Sequence, residues 1–236
     1  MSVTFDLPML YSQCQRKDGL RSNEELEKAK ARLLCHLREE IADERVLQAM
    51  ESVARHLFVP PGQLHMAYDD MPLPIGEGQT ISQPTIVAIM TSALALKEND
   101  RVLELGTGSG YQAAILSRLV PNGRVLTVER VPKLCQRAQS LLQALRYDNI
   151  DVRLAGKTLG APEDAPFDAI LVTAAAPRIP DSLLKQLAPR GRMAIPVGTM
   201  LEQDLLRVTK QDGDYTVDNL GGCRFVPLIG DEAWSQ

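Results

Sequence analysis

The chain has 236 residues, 44% of them hydrophobic and 24% charged, which suits one large α/β domain or one domain with a helical extension. Aromatic residues make up only 4% and the net charge is −4, which argues against a base-stacking platform and against a nucleic-acid or anionic-membrane partner. Cys14, Cys35, Cys135 and Cys223 stand far apart with no CxxC, no apolar run nears the roughly 18 residues that cross a bilayer, and the N-terminus lacks a signal-peptide pattern, so reduced thiols, no metal and a cytoplasmic location are expected.

In chain order, residues 1–20 show no period and read as an irregular leader. Ser22-Asn-Glu-Glu25 is a capping box, and Leu26, Leu33, Leu37 and Ile41 behind it predict an amphipathic helix over 23–40. Asp43 caps a second short helix with Val46, Met50 and Val53 on one face, which Pro60-Pro61-Gly62 is expected to stop. Residues 61–82 read as loop, because two prolines and two glycines fall within 71–82. Pro84 then opens a helix carrying Ile86, Val87, Met90 and Leu94 on its apolar face.

After Asn99-Asp100 short apolar strands alternate with helices. Strands are predicted at 101–105, 124–129, 150–154, 167–172 and 192–197, with helices ending near 119, over 131–147 and near 180–187. Such alternation means right-handed crossovers and a mostly parallel sheet. The tail differs: strands at 204–210 and 223–229 around a polar turn at 211–214 suggest an antiparallel edge. The expected class is thus α/β, with residues 1–60 a leader and helical extension packed on a domain over 61–236.

The chemistry concentrates at Val102-Leu-Glu-Leu-Gly106-Thr-Gly108-Ser-Gly110-Tyr, at the carboxyl end of the first strand of the βα series. Gly106, Gly108 and Gly110, with Thr107 and Ser109 between them, let the backbone turn sharply and approach a ligand closely. Glu129 ends the next strand, where its carboxylate can accept both hydroxyls of a ribose. A dinucleotide site prefers G-x-G-x-x-G. Here the order is G-x-G-x-G, and Glu104 puts a negative charge where a pyrophosphate would lie, which suits a sulfonium or an amino group. The spacing favours S-adenosylmethionine over a nicotinamide dinucleotide.

Several segments give the chain a family likeness: Ala67-Tyr-Asp-Asp70, Pro72-Leu-Pro-Ile-Gly76, Gly78-Gln-Thr-Ile-Ser-Gln-Pro84, the glycine motif through Ala113, and Phe167-Asp-Ala-Ile-Leu-Val-Thr-Ala-Ala-Ala-Pro177. Leu187-Ala-Pro189, Ile195-Pro-Val-Gly198 and Phe225-Val-Pro-Leu228 add to it. On these residues the chain resembles protein-L-isoaspartate O-methyltransferases, which repair damaged proteins. The resemblance implies a Rossmann-like methyltransferase fold binding S-adenosylmethionine, with isoaspartyl proteins and peptides as acceptors. A carboxylate that is already ionised needs no general base, so placement beside the sulfonium carries the catalysis. His36, His56 and His65 lie outside the family-specific motifs and read as structural.

By the same likeness, Thr80 and Ser82 are expected beside the transferring methyl, although Ser82 could also cap the following helix. Ile81, Thr173, Ala174, Ala175, Val226 and Leu228 are expected to meet the acceptor peptide, with Phe225 beside them. Asp168 reads as a group that orients strand ends.

One departure stands out. The family carries Gly-Asp-Gly after the third strand, where the aspartate recognises the adenine amino group; this chain has Ala155-Gly156-Lys157. Gly156 offers no side-chain acceptor, and Lys157 would be strained if its glycine counterpart has positive φ. Glu77 stands where a histidine is common. Three explanations stay open: weaker adenine contacts helped by a neighbour such as Glu163 or Asp164, a different acceptor carboxylate, or a non-catalytic relative.

Overall fold

Helix α1 (Asn23–Glu40) starts where the capping box puts it. Glu25 N donates to Ser22 Oγ at 3.2 Å, and Ser22 N donates to Glu25 Oε2 at 2.6 Å. The computed structural model describes residues 22–211 and 213–235; the predicted leader and Cys14 lie outside the described residues. Helix α2 (Glu44–Ser52) is capped by Asp43, whose Oδ1 accepts from Arg45 N and Val46 N. It ends at Ser52, well before the prolines expected to stop it. The chain bends there into short turns at Arg55–Phe58 and Pro61–Met66. The bend buries Arg55, whose Nε donates to Ala67 O at 2.9 Å.

The predicted loop at 61–82 contains a hairpin, β1 (Leu73–Gly76) and β2 (Gln79–Ile81), paired antiparallel. Gly76, Glu77 and Gly78 all have positive φ in its turn, so Gly-Glu-Gly was the usable signal. Helix α3 (Pro84–Ala93) begins on Pro84 as expected.

The central sheet runs through β3 (Arg101–Leu105), β4 (Arg124–Glu129), β5 (Ile150–Leu154), β6 (Phe167–Val172), β7 (Leu187–Gly198), β8 (Gln203–Gln211) and β9 (Asp214–Cys223). Their spatial order is β5-β4-β3-β6-β7-β8-β9. Pairs from β5 through β7 are parallel, while β7–β8 and β8–β9 are antiparallel, the mostly parallel sheet with an antiparallel edge that the alternation predicts. Helices α4 (Tyr111–Leu119), α5 (Pro132–Ala144) and α6 (Asp181–Gln186) are the crossovers, the last two shorter than predicted.

The final strand differs from expectation. It follows the polar turn at once and is mostly exposed, so it shows no apolar alternation. Residues 224–229 do not continue the sheet; they cross its carboxyl end, with Ala175 N donating to Val226 O and Leu228 N donating to Ala175 O, both at 2.8 Å.

On one face of the sheet Leu33, Leu37, Leu47 and Met50 of α1 and α2 share a core with Val102, Leu171 and Ala194. The other face packs Leu103, Ile170 and Val172 against Leu183 of α6. Asp168 Oδ2 accepts from Arg101 N at 2.8 Å and so ties β6 to the start of β3. Because β4 and β6 lie on opposite sides of β3, the strand order reverses there, and a crevice opens at the carboxyl ends.

Candidate active site

A cavity of about 490 Å³ occupies that crevice, between the glycine loop, the β1–β2 hairpin and the segment from Val226 to Gly230. Of the residues singled out from sequence, Thr80, Ile81, Ser82, Gly106, Thr107, Gly108, Ser109, Glu129, Gly156, Lys157, Thr173, Ala174, Val226 and Leu228 line it. Segments up to 150 residues apart in sequence thus converge on one space.

Glu129 shows how the site is built. Its Oε2 accepts from Gly108 N and its Oε1 from Val131 N, each at 2.8 Å. Both oxygens are fixed by backbone amides, and each keeps a lone pair for a further donor. Gly106 N donates to Val128 O at 2.8 Å, docking the loop on β4. A Cβ at Gly106, where φ is +99°, would overlap Thr173 Oγ1. Thr173 Oγ1 in turn donates within reach of Leu105 O and Gly106 O.

Three expected residues lie off the cavity surface. Gly110 takes φ +87° at the start of α4, and its missing Cβ makes room for Leu142 of α5. Ala175 is buried and acts through its backbone, pinning the segment 226–228 described above. Glu104 is fully buried beneath the loop. Its Oε2 accepts from Thr127 Oγ1 at 2.5 Å, whereas Oε1 is buried without a hydrogen-bond partner. Burial pushes its carboxyl up to about 8, with the Glu129 charge adding to the effect against the Thr127 hydrogen bond. The carboxyl that the sequence suggested as a negative charge facing the ligand thus lies behind the loop, off the cavity surface, and is held above its ordinary range.

Ser82 does not cap α3, whose first turn has no side-chain cap of its own. Asp70 does that work from the preceding loop, accepting from Thr85 N at 2.8 Å, Thr85 Oγ1 at 2.7 Å and Gln83 Nε2 at 2.9 Å. Although burial opposes it, these bonds hold the Asp70 carboxyl below its ordinary range. The Ser82 hydroxyl is left to the cavity. Phe225 does not line the cavity; its backbone is clasped by the Gln203 side chain. Glu77 sits on the hairpin turn, 3.2 Å from Lys133 Nζ, and is also outside. Neither Glu163 nor Asp164 reaches the cavity: Asp164 pairs with Arg153 among Arg101 and Arg124, at the amino ends of the strands. Lys157 is not among the residues with positive φ, so the feared strain is absent. His56 Nδ1 lies 2.8 Å from Tyr68 OH and His36 lies beside Asp70, both away from the cavity.

Sequence reasoning missed Gln79, Val87, Tyr111, Gln112, Thr158 and Pro227, which also line the cavity. Tyr111 and Gln112 directly follow the last glycine of the loop, and that adjacency was the available signal. Among the described residues no group of three or more His, Cys, Asp or Glu could hold a metal ion, and no helix is long and apolar enough to cross a membrane.

Residues 27–233 match the family model "Protein-L-isoaspartate(D-aspartate) O-methyltransferase (PCMT)". The chain belongs to this family. It is 53% identical over 195 residues to a protein-L-isoaspartate O-methyltransferase of Trichlorobacter lovleyi, covering 82% of this chain and 89% of that protein. It is 54% identical over 194 residues to protein-L-isoaspartate O-methyltransferase 1 of Syntrophobacter fumaroxidans, covering 82% and 90%. Among solved structures, a protein-L-isoaspartate O-methyltransferase superposes with TM-score 0.76 at 28% identity, over 86% of this chain and 67% of that one. A Plasmodium falciparum PCMT crystallised with S-adenosyl-L-homocysteine gives TM-score 0.72 at 27% identity, covering 84% and 96%.

The cavity fits S-adenosylmethionine on three observations. Gly106 of the loop leaves no room for a Cβ, Glu129 presents two fixed oxygens, and the Glu104 carboxyl behind the loop keeps an oxygen without a partner. Gly156, Lys157 and Thr158, the stretch expected at the adenine, line one part of the cavity. A Cβ at Gly156 meets nothing within 4 Å. Gly156→Asp is therefore expected to tighten cofactor binding by up to about tenfold, the worth of one good hydrogen bond. Equilibrium titration checks it; an unchanged affinity would show that the Thr158 hydroxyl or the backbone already serves the adenine.

Proposed function

We propose that this chain transfers the methyl group of S-adenosylmethionine to the free carboxylate of L-isoaspartyl residues in damaged proteins or peptides. The observation that carries the reading is convergence. The family-specific Thr80–Ser82, Thr173–Ala174 and Val226–Leu228 face the glycine loop across one cavity. When bound, S-adenosylmethionine supplies an electrophilic methyl group on a cationic sulfur.

The chain's own residues then have to place a carboxylate. Glu129 holds the ribose hydroxyls, and Gly106 to Gly110 let the backbone follow the amino-acid end of the cofactor, with Glu104 behind them. Thr80 and Ser82 orient the acceptor carboxylate by their hydroxyls, and Ile81 between them is buried against the core. The acceptor is ionised near neutral pH, so these hydroxyls need move no proton. Small Ala174 leaves width for the extra methylene of an isoaspartyl backbone, and Val226 and Leu228 line its path. The catalytic gain is then orientation, which is worth several kcal/mol when two reactants are held in line.

The partners in this reading are isoaspartyl proteins and peptides, read by their backbone more than by flanking side chains. It includes no nucleic acid, membrane or metal, and a cytoplasmic location. Residues 1–60 are an extension to a methyltransferase domain over 61–236. Gly156 favours looser adenine binding over loss of function, because the rest of the cavity lining is intact.

The test is methyl transfer from labelled S-adenosylmethionine to an isoaspartyl peptide and to its normal aspartyl twin. Turnover on the isoaspartyl peptide alone, across several flanking sequences, is the expected result. Transfer to a free small acid but to no isoaspartyl peptide would establish a different carboxyl methyltransferase. Cofactor binding with no transfer to any carboxylate would mark a non-catalytic relative.

A further inference from the structure

Glu104 reaches the cavity only through hydroxyl groups. Thr127 Oγ1 lies 2.5 Å from Glu104 Oε2 and 2.6 Å from Thr107 Oγ1. All three residues are buried, and Thr107 alone of them lines the cavity. Each hydroxyl has one proton to donate, so the buried end sets the polarity of the whole chain. With Glu104 ionised, Thr127 donates to it, Thr107 donates to Thr127, and Thr107 offers the cavity lone pairs only. With Glu104 protonated, the carboxyl donates to Thr127, Thr127 donates to Thr107, and Thr107 turns its O–H toward the cavity. The first polarity welcomes a cation and the second opposes one.

We propose that Glu104, Thr127 and Thr107 form a proton-coupled acceptor for the positive charge of the cofactor, with Glu104 neutral in the cofactor-free protein and ionised in the complex. The O–H bond of the carboxyl breaks, its electron pair stays on the carboxylate, and the proton leaves to the buffer. Thr127 is then a positioning residue, acting through Thr107. The inference rests on the cofactor assignment and not on the isoaspartyl acceptor.

The surroundings support a neutral Glu104. An isolated carboxylate in a dry site is costly, and its Oε1 has no donor to stabilise a charge. On β4 the charged neighbour is Glu129, which opposes ionisation. On β6 the residue opposite is Leu171. Helix α3 carries no titratable side chain. Helix α4 brings Tyr111, whose phenol burial keeps neutral, and Arg118, which stacks on the ring of Tyr147. Helix α5 brings Cys135, likewise held neutral by burial. Behind Tyr111 the buried Arg55 stacks on that ring at 5.0 Å. A bound cation changes this balance and draws the proton off.

Isothermal titration of S-adenosylmethionine in two buffers of different ionisation enthalpy counts the protons released. At about pH 6, well below the roughly 7.7–8.0 of an α-amino group, the ligand's amine is protonated free and bound, and the wild type is expected to release close to one more proton per ligand than Glu104→Gln. Relative to that variant, wild-type affinity is expected to climb by up to about tenfold per pH unit below about pH 8 and to level off above it. Thr127→Val, which keeps the shape but cuts the chain, is expected to lose the pH dependence; a merely structural threonine would shift affinity equally at every pH. S-Adenosylhomocysteine, with a neutral sulfur, is expected to release less.

Equal proton release by wild type and Glu104→Gln would overturn the proposal. Should that variant not fold, an infrared difference spectrum of the wild type decides: the protonated-carboxyl stretch is expected to vanish on binding, and its persistence would overturn the proposal too. Binding without proton release sinks this inference alone, whereas no binding sinks the cofactor assignment with it.

Discussion

Gly106→Ala is expected to lower cofactor affinity by about 30- to 100-fold, with turnover falling in step. Two independent costs add. At φ +99° an L side chain is strained, by roughly 1–2 kcal/mol. The new Cβ would also overlap Thr173 Oγ1 and come within 3.6 Å of Thr173 Cβ. Thr173 cannot step aside freely, because its hydroxyl bonds Leu105 O at 2.9 Å or Gly106 O at 2.8 Å, and breaking such a bond costs about 1 kcal/mol. The loop must shift instead, and with it the Gly108 amide that positions Glu129. Binding has to push the shifted loop back, so a combined cost of roughly 2–3 kcal/mol corresponds to about 30- to 100-fold in affinity. Equilibrium titration measures it. Adding Thr173→Ala is expected to restore part of the loss, since it removes the overlap and leaves the backbone strain. Wild-type affinity in the single variant would show that the loop can move without disturbing the site.

The elements read correctly from sequence were those specified locally. The capping box at Ser22 and Glu25 closes within one turn, so it needed no knowledge of the rest of the chain. The strands β3, β4 and β6 are nearly uniform apolar runs because both faces are covered. That uniformity also hid something: Val-Leu-Glu-Leu does not say which face Glu104 takes, or that it lies under helices without solvent. The hairpin went unread because Pro72 and Pro74 interrupt a pattern whose alternation, Leu73 and Ile75 inward, is otherwise regular. Strand β9 is mostly solvent-exposed, leaving nothing apolar to count. The apolar stretch at 225–229 reads as a strand, but Val226 and Leu228 are apolar because they pack on the core beside the cavity they line. Proximity in sequence misled at Asp164, which follows the adenine loop by a few residues yet is drawn by Arg153 to the opposite end of the sheet.

Glu129→Ala is expected to weaken cofactor binding at least about tenfold, and the geometry indicates why the loss exceeds one contact. Each carboxylate oxygen already takes a backbone amide, from Gly108 on one side and Val131 on the other. Truncation orphans both amides, and a charge-assisted bond of this kind is worth roughly 1.5–3 kcal/mol. The glycine loop loses one of its ties to β4, the Gly108 amide, while the Gly106 bond to Val128 O remains, at the moment the ribose loses its acceptor. Glu129→Gln is not a mild substitute here, because its NH₂ must face one of the two backbone donors, and it is expected to lose nearly as much as alanine. The two contributions separate with a 2′-deoxy analogue of the cofactor. Wild type is expected to prefer the ribose form, because only that form fills both remaining lone pairs, whereas Glu129→Ala should bind the two forms alike and both weakly. A preference that survives the substitution would mean that another group holds the 2′-hydroxyl, and Glu129 would then serve only to fix the loop.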